Sequence, residues 1–131
     1  MKRNSVIAGA VAAGLFQSMA TTATAGDAAA GAKLFEQECT ACHTASPDDN
    51  GSSQGPSLIG VFNRRVASDA TFSYTAALRN SRLTWDAATL DRFLQAPDAV
   101  VPGTEMVVAV PAKSDRENLI AYFQSLAGID K

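Results

Sequence analysis

The chain is short of the residues that carry most protein chemistry. Among 131 residues there are two cysteines and one histidine. A structural zinc site needs about four protein ligands, and this inventory cannot complete one. No glycine-rich phosphate loop, internal repeat or low-complexity tract follows residue 25. Positive charge is not in excess either: 11 Lys+Arg face 13 Asp+Glu, a formal balance of −2. An acidic balance argues against nucleic acid or an anionic membrane surface as a partner. The single long apolar run, Val6 to Phe16, is short of the roughly 20 residues a membrane span requires.

That run has another reading. Met1-Lys2-Arg3-Asn4 is a short basic start, the alanine-rich run follows, and small residues lead to Ala23-Thr24-Ala25. This is the layout of a secretory signal peptide with an A-x-A cleavage site. The expected division is residues 1–25 as the cleavable signal and 26–131 as one mature domain, with a cut after Ala20 as the second choice. Cleavage removes Lys2 and Arg3, so 9 Lys+Arg then face 13 Asp+Glu, a balance of −4. It also removes Met1 and Met19, leaving Met106 as the only methionine.

What the mature chain does have is concentrated. Both cysteines and the histidine fall in Cys39-Thr40-Ala41-Cys42-His43. C-x-x-C-H is a covalent haem attachment signature: two thiols add to two vinyl groups, and the adjacent imidazole binds the iron. A thioredoxin-like dithiol would need a βαβ context, and the flanking segments look helical. A simple disulfide in an exported protein accounts for the cysteines but not for the histidine beside them. With the histidine so used, no Ser/His/Asp arrangement remains.

Local patterns place the rest. Asp27 to Glu38 reads as a helix capped by Asp27, with Gly31, Phe35 and Cys39 on one face. Glycine inside a helix suggests a close crossing by another element, against the plainer reading of an untuned surface position. Residues 44–55 read as a turn-rich loop. The carbonyl of Pro56 is a candidate acceptor for the second ring N–H of His43, against the plainer reading of a turn with no ligand role. Phe62 to Asp69 reads as irregular and Phe72 to Asn80 as a short helix. A firmer helix is expected from a Thr84 cap, with Asp86 in its first turn, Ala87, Leu90, Phe93 and Leu94 on one face, and Pro97 as its stop. Asp98 to Pro111 is expected to be an extended loop carrying Met106. A capping box, Ser114-Asp115-Arg116-Glu117, then opens a last helix that Gly128 ends. A mature chain of this size builds a small core, so a buried haem would form much of it. Met106 is a candidate second axial ligand, because a thioether stabilises ferrous iron; the alternative is a core-filling methionine.

These pieces together resemble the small class I cytochromes c, of the mitochondrial cytochrome c and bacterial cytochrome c2 type. The residues that carry the resemblance run in order through Gly31, Phe35, the C-x-x-C-H pentapeptide, Gly55-Pro56-Ser57-Leu58-Ile59-Gly60, Phe72-Ser73-Tyr74-Thr75, Leu83-Thr84-Trp85, Pro97, Pro102-Gly103-Thr104-Glu105-Met106 and Leu119-Ile120-Ala121-Tyr122. The resemblance implies an all-α fold of several short helices wrapped around one covalent haem c, held through Cys39 and Cys42, with the first and last helices crossing where Gly31 and Phe35 meet Leu119 and Tyr122. It implies His43 and Met106 as the iron ligands, the Pro56 carbonyl on His43, Arg64, Tyr74 and Trp85 as donors to a buried propionate, and Thr104 near the other. It implies an electron carrier rather than an enzyme, exported to the periplasm and monomeric. Its redox partners would be a membrane respiratory or photosynthetic complex or a periplasmic dehydrogenase, with no membrane anchor after cleavage. A dedicated subunit of a dehydrogenase or oxidase complex, and a peroxidase-like enzyme, are the alternatives. Two departures stand out. Phe93 takes a place where the family often has tyrosine, and Glu105 one where lysine is usual. With only Lys33, Lys113 and Lys131 left after cleavage, a lysine ring around the haem edge is not expected.

Overall fold

The computed structural model describes residues 25–49, 51–52 and 54–129, so the expected signal peptide lies outside the described residues. Five helices follow in order: α1 Ala28–Glu38, α2 Ala76–Asn80, α3 Ala87–Gln95, α4 Pro97–Val100 and α5 Lys113–Ser125. No strand occurs among the described residues; two isolated antiparallel pairings, Gly51 with Pro56 and Arg65 with Thr84, pin the loops.

α1 begins as its sequence dictates. The Asp27 carboxylate accepts from the N–H groups of Ala29 and Ala30, two donors a helix start leaves unpaired. Its buried face, Gly31 and Phe35, packs on α5. At Gly31 the two backbones meet: a Cβ there would lie 2.0 Å from the Asn118 carbonyl oxygen and 2.9 Å from Tyr122 Cβ. Phe35 inserts beside Tyr122 and Phe123, with ring centroids 5.5 and 6.2 Å away. Asn118 also accepts the Asp27 N–H at 2.8 Å. Leu119, Phe123, Ile59, Val61 and Leu94 continue this core.

Several boundaries differ from expectation. α2 starts at Ala76, four residues late, because Thr75 caps it. α3 is capped by Asp86, which accepts from Thr89 N–H, rather than by Thr84; Thr84 instead pairs with Arg65. The hydrogen bonds from Thr89, its backbone N–H first, lower the Asp86 carboxyl below its usual range. Thr89, not Ala87, completes the buried face of α3. Pro97 both stops α3 and starts α4, since a missing N–H is no loss in a first helical turn. The expected loop therefore begins only after Val100. The expected capping box is absent: α5 opens two residues earlier than a Ser114 cap would set, at Lys113, with no side-chain cap. Arg116 is 4% exposed and turns inward instead.

Gly31→Ala should lower the stability of the haem-loaded protein by about 1–3 kcal/mol, the usual cost of overpacking. Denaturant unfolding measures it, and an unchanged midpoint would mean the α1–α5 approach is looser than the geometry indicates.

Candidate functional site

One cleft of about 210 Å³ runs between the turn after α1, the stretch 54–75, α3 and the loop 104–108. All nine residues singled out in the sequence line it: Cys39, Cys42, His43, Pro56, Arg64, Tyr74, Trp85, Thr104 and Met106. Its inner walls are apolar, built from Leu58, Val61, Leu90, Phe93, Leu94 and Phe123.

The first wall is set by the end of α1. Cys39 N–H continues the helix to Phe35 O, and the N–H groups of Cys42 and His43 turn back to Cys39 O at 3.1 and 2.8 Å. This tight turn presents the two thiols and the imidazole together. Both cysteines are free of disulfide. Burial, then the charge of Glu38, pushes the Cys39 thiol up to about 11, so it stays protonated at neutral pH. Cys42 Sγ donates to Gln54 Oε1 at 3.1 Å, a contact that the turn-dense sequence around Gln54 did not signal.

His43 Nδ1 lies 2.9 Å from Pro56 O. A carbonyl only accepts, so Nδ1 carries the proton and Nε2 keeps its lone pair. Burial holds the imidazole below its ordinary pKa, against a smaller opposing pull from Pro56. A neutral ring with a free Nε2 is the form that binds a metal. Gly55 makes room for this ring: a Cβ there would fall 2.6 Å from His43 Cε1 and Nδ1. The loop behind is closed by Ser52 Oγ donating to Cys42 O and Leu58 N–H donating to Thr44 O.

Polar groups enter from the side. Residues 63–66 and 83–85 pair through Asn63 N–H to Trp85 O, Trp85 N–H to Arg64 O and Val66 N–H to Leu83 O, which sets Arg64 beside Trp85. Arg64 donates to Ile59 O at 3.1 Å and Ser57 O at 3.2 Å, and no carboxylate pairs with it among the described residues. Burial raises the Tyr74 pKa, with the Arg64 charge partly offsetting it. Trp85 and Phe93 meet edge to face at 4.8 Å.

The opposite wall carries Met106. Its N–H donates to Thr104 Oγ1 at 3.3 Å, and Gly103 N–H donates to Asp98 Oδ1 at 3.0 Å. Val107, 89% exposed, and Val108 form the outer lip.

This donor set fits a haem. Two thiols, a neutral imidazole and a thioether share one apolar cleft with a guanidinium that has no carboxylate partner among the described residues, which suits a flat apolar group bearing anionic substituents.

Comparison with known proteins agrees. The family described as cytochrome c matches residues 28–127. The chain belongs to the cytochrome c family. It is 46% identical over 100 residues to a cytochrome c2 from Rhodoblastus acidophilus, covering 75% of this chain and 91% of that one. It is 39% identical over 102 residues to a cytochrome c from Euglena viridis, covering 77% and 98%. Among solved structures, cytochrome cH from Methylobacterium extorquens superimposes with a TM-score of 0.68 at 38% identity, over 76% of this chain and 99% of that one. The fold is that of a class I cytochrome c. The protein is an electron carrier with covalent haem c, not an enzyme.

Gly55→Ala should push the His43 ring off Pro56. The expected sign is loss of the slowly exchanging His43 Nδ1–H resonance in NMR, with stability falling by about 1–3 kcal/mol. A retained resonance would show that the ring does not depend on this gap.

Proposed function

We propose that Cys39 and Cys42 hold haem c through two thioethers, that His43 and Met106 are its axial ligands, and that Arg64, Tyr74 and Trp85 donate to one propionate with Thr104 near the other. The observation that carries this reading is that His43 and Met106 line the same apolar cleft with both thiols. When bound, haem c supplies a one-electron Fe(III)/Fe(II) couple. The protein's own residues do the rest. Pro56 fixes the His43 tautomer and raises the basicity of Nε2. Leu58, Val61, Leu90 and Phe93 keep water away, which favours the less charged state of the metal. The Met106 thioether favours ferrous iron and raises the potential. Arg64, with Tyr74 and Trp85, compensates a carboxylate drawn out of water.

The site of action is the periplasm, reached by the signal sequence 1–25, and the mature domain is 26–131. The bacterial cytochrome c2 relatives support this, and no helix among the described residues is long and apolar enough to cross a membrane. The carrier is a monomer that meets membrane respiratory or photosynthetic complexes, or a periplasmic dehydrogenase, through small transient contacts at the cleft.

Met106→Ala should retain covalent haem while the reduction potential falls on the order of 100 mV, well inside the roughly 0.8 V that axial ligands span. The methionine-to-iron charge-transfer band of the ferric protein should vanish with it. A potentiometric titration that gives the unsubstituted value would take Met106 off the iron. N-terminal sequencing of the exported protein should begin at Gly26; an N-terminus at Met1 in a periplasmic fraction would remove the cleavage reading.

A further inference from the structure

The sulfur of Met106 stands on a loop whose next three residues, 107–109, make no hydrogen bond to any described residue. Something else must set how firmly that loop closes the cleft. The loop regains structure at Val110, which is 7% exposed and donates its N–H to Leu94 O at 2.7 Å. The same point receives a second tie from outside the cleft. Arg116 on α5 donates from Nη1 to Val110 O at 3.1 Å and to Pro111 O at 2.7 Å. Its Nε donates to Asp91 Oδ1 on α3 at 2.7 Å. The Arg116 side chain is 5% exposed and that of Asp91 35% exposed.

We propose that the Arg116–Asp91 pair is a clamp that positions the Met106 loop and so sets how readily Met106 leaves the iron; this rests on the reading of Met106 as the second axial ligand. Three features of the pair support it. Asp91 lies one helical turn before Leu94, the residue that holds Val110 and lines the cleft, so one element carries both the acid and the Leu94 tie to Val110. A guanidinium is a planar fork with fixed donor directions, and two of its nitrogens here bridge α3 to two successive loop carbonyls. Its charge is buried, and removing the carboxylate leaves it unpaired, so the fork cannot keep its place indifferently. The other ion pair on α5, Lys113–Glu117, is exposed and touches neither the loop nor the cleft wall. Neither Arg116 nor Asp91 lines the cleft; both act as positioning residues through Val110 and Pro111.

The test uses the haem-loaded ferric protein and imidazole as a small competing ligand. Asp91→Ala and Arg116→Lys should each take up imidazole about tenfold faster than the unsubstituted protein, a difference of about 1.4 kcal/mol in barrier. The methionine-to-iron band should weaken, and hydrogen-exchange protection should drop at Val110 N–H but not at the α1 amides. Lys113→Ala serves as the control and should change none of these. Arg116→Lys tests the fork directly, because it keeps the charge and loses the geometry. If it fails to fold, Asp91→Ala and Asp91→Asn decide the matter alone. Unchanged imidazole uptake in the Asp91 variants, with Val110 deprotected, overturns the clamp. So does equal loss of protection at α1 and Val110, which would make the pair a general stabiliser. If the unsubstituted protein takes imidazole as fast as Met106→Ala does, Met106 is not the ligand, and the reading beneath the clamp fails first.

Discussion

The crossing of α1 and α5 is the contact on which the rest of the structure depends. Its closest point is Gly31 against the Asn118 carbonyl, an approach that no side chain on that face of α1 would permit. The consequence is felt at both ends of the site. α1 runs directly into the turn that presents Cys39, Cys42 and His43, so its position on α5 sets one wall of the cleft. α5 supplies Phe123 to the cleft lining and Arg116 to the base of the Met106 loop. Moving the helices apart would therefore shift the imidazole wall relative to the thioether wall. In a core this small few other contacts can absorb the change, since the large residues at the crossing, Phe35, Leu119 and Phe123, are also the centre of the hydrophobic cluster.

Much of this was legible in the sequence because the relevant signals are local. Asp27 before an alanine-rich turn is a cap whatever surrounds it, and the structure keeps it. The pentapeptide puts both thiols and the imidazole within one turn, so no long-range folding is needed to bring them together. The glycine at 31 pointed to a close crossing because glycine in a helix interior costs stability unless packing requires it, and the structure favours that reading over an untuned surface position. The misread points depend on competition between neighbours. Thr84 and Asp86 are both acceptable caps; Asp86 takes the role because the 83–85 strand-like stretch is committed to pairing with 63–66. Ser114 looked like a cap because Glu117 follows at the right spacing. That spacing says nothing of the carbonyls of Val110 and Pro111, which draw Arg116 inward. A buried arginine is hard to foresee from sequence, since its partners lie 6, 5 and 25 positions away on two different elements. Arg64 lay beyond local pattern for the same reason: its carbonyl partners, Ser57 and Ile59, come from the preceding turn, and its place beside Trp85 comes from chain pairing.

The two walls of the cleft are held in different ways. On the histidine side the ring is gripped from several directions at once: Pro56 at Nδ1, Gly55 against the ring edge, and the backbone bonds from His43 to Cys39 and from Leu58 to Thr44. On the methionine side the nearest ties are one bond to Thr104 before the sulfur and, after it, the anchoring of Val110 four residues on. Phe93 adds an apolar ring to this wall and offers no hydroxyl to the sulfur; its edge-to-face partner is Trp85. An electron carrier works best when its ligands move little between oxidation states, so the less tethered wall limits how well that condition is met. Stiffness there cannot come from the cleft itself, whose lip at Val107 is open to solvent. It has to be imported from α3 and α5, and α5 already holds the other wall through its crossing with α1 at Gly31. The geometry thus links both ligand positions to one shared helix, α5, although the residues concerned stand more than sixty positions apart in the chain.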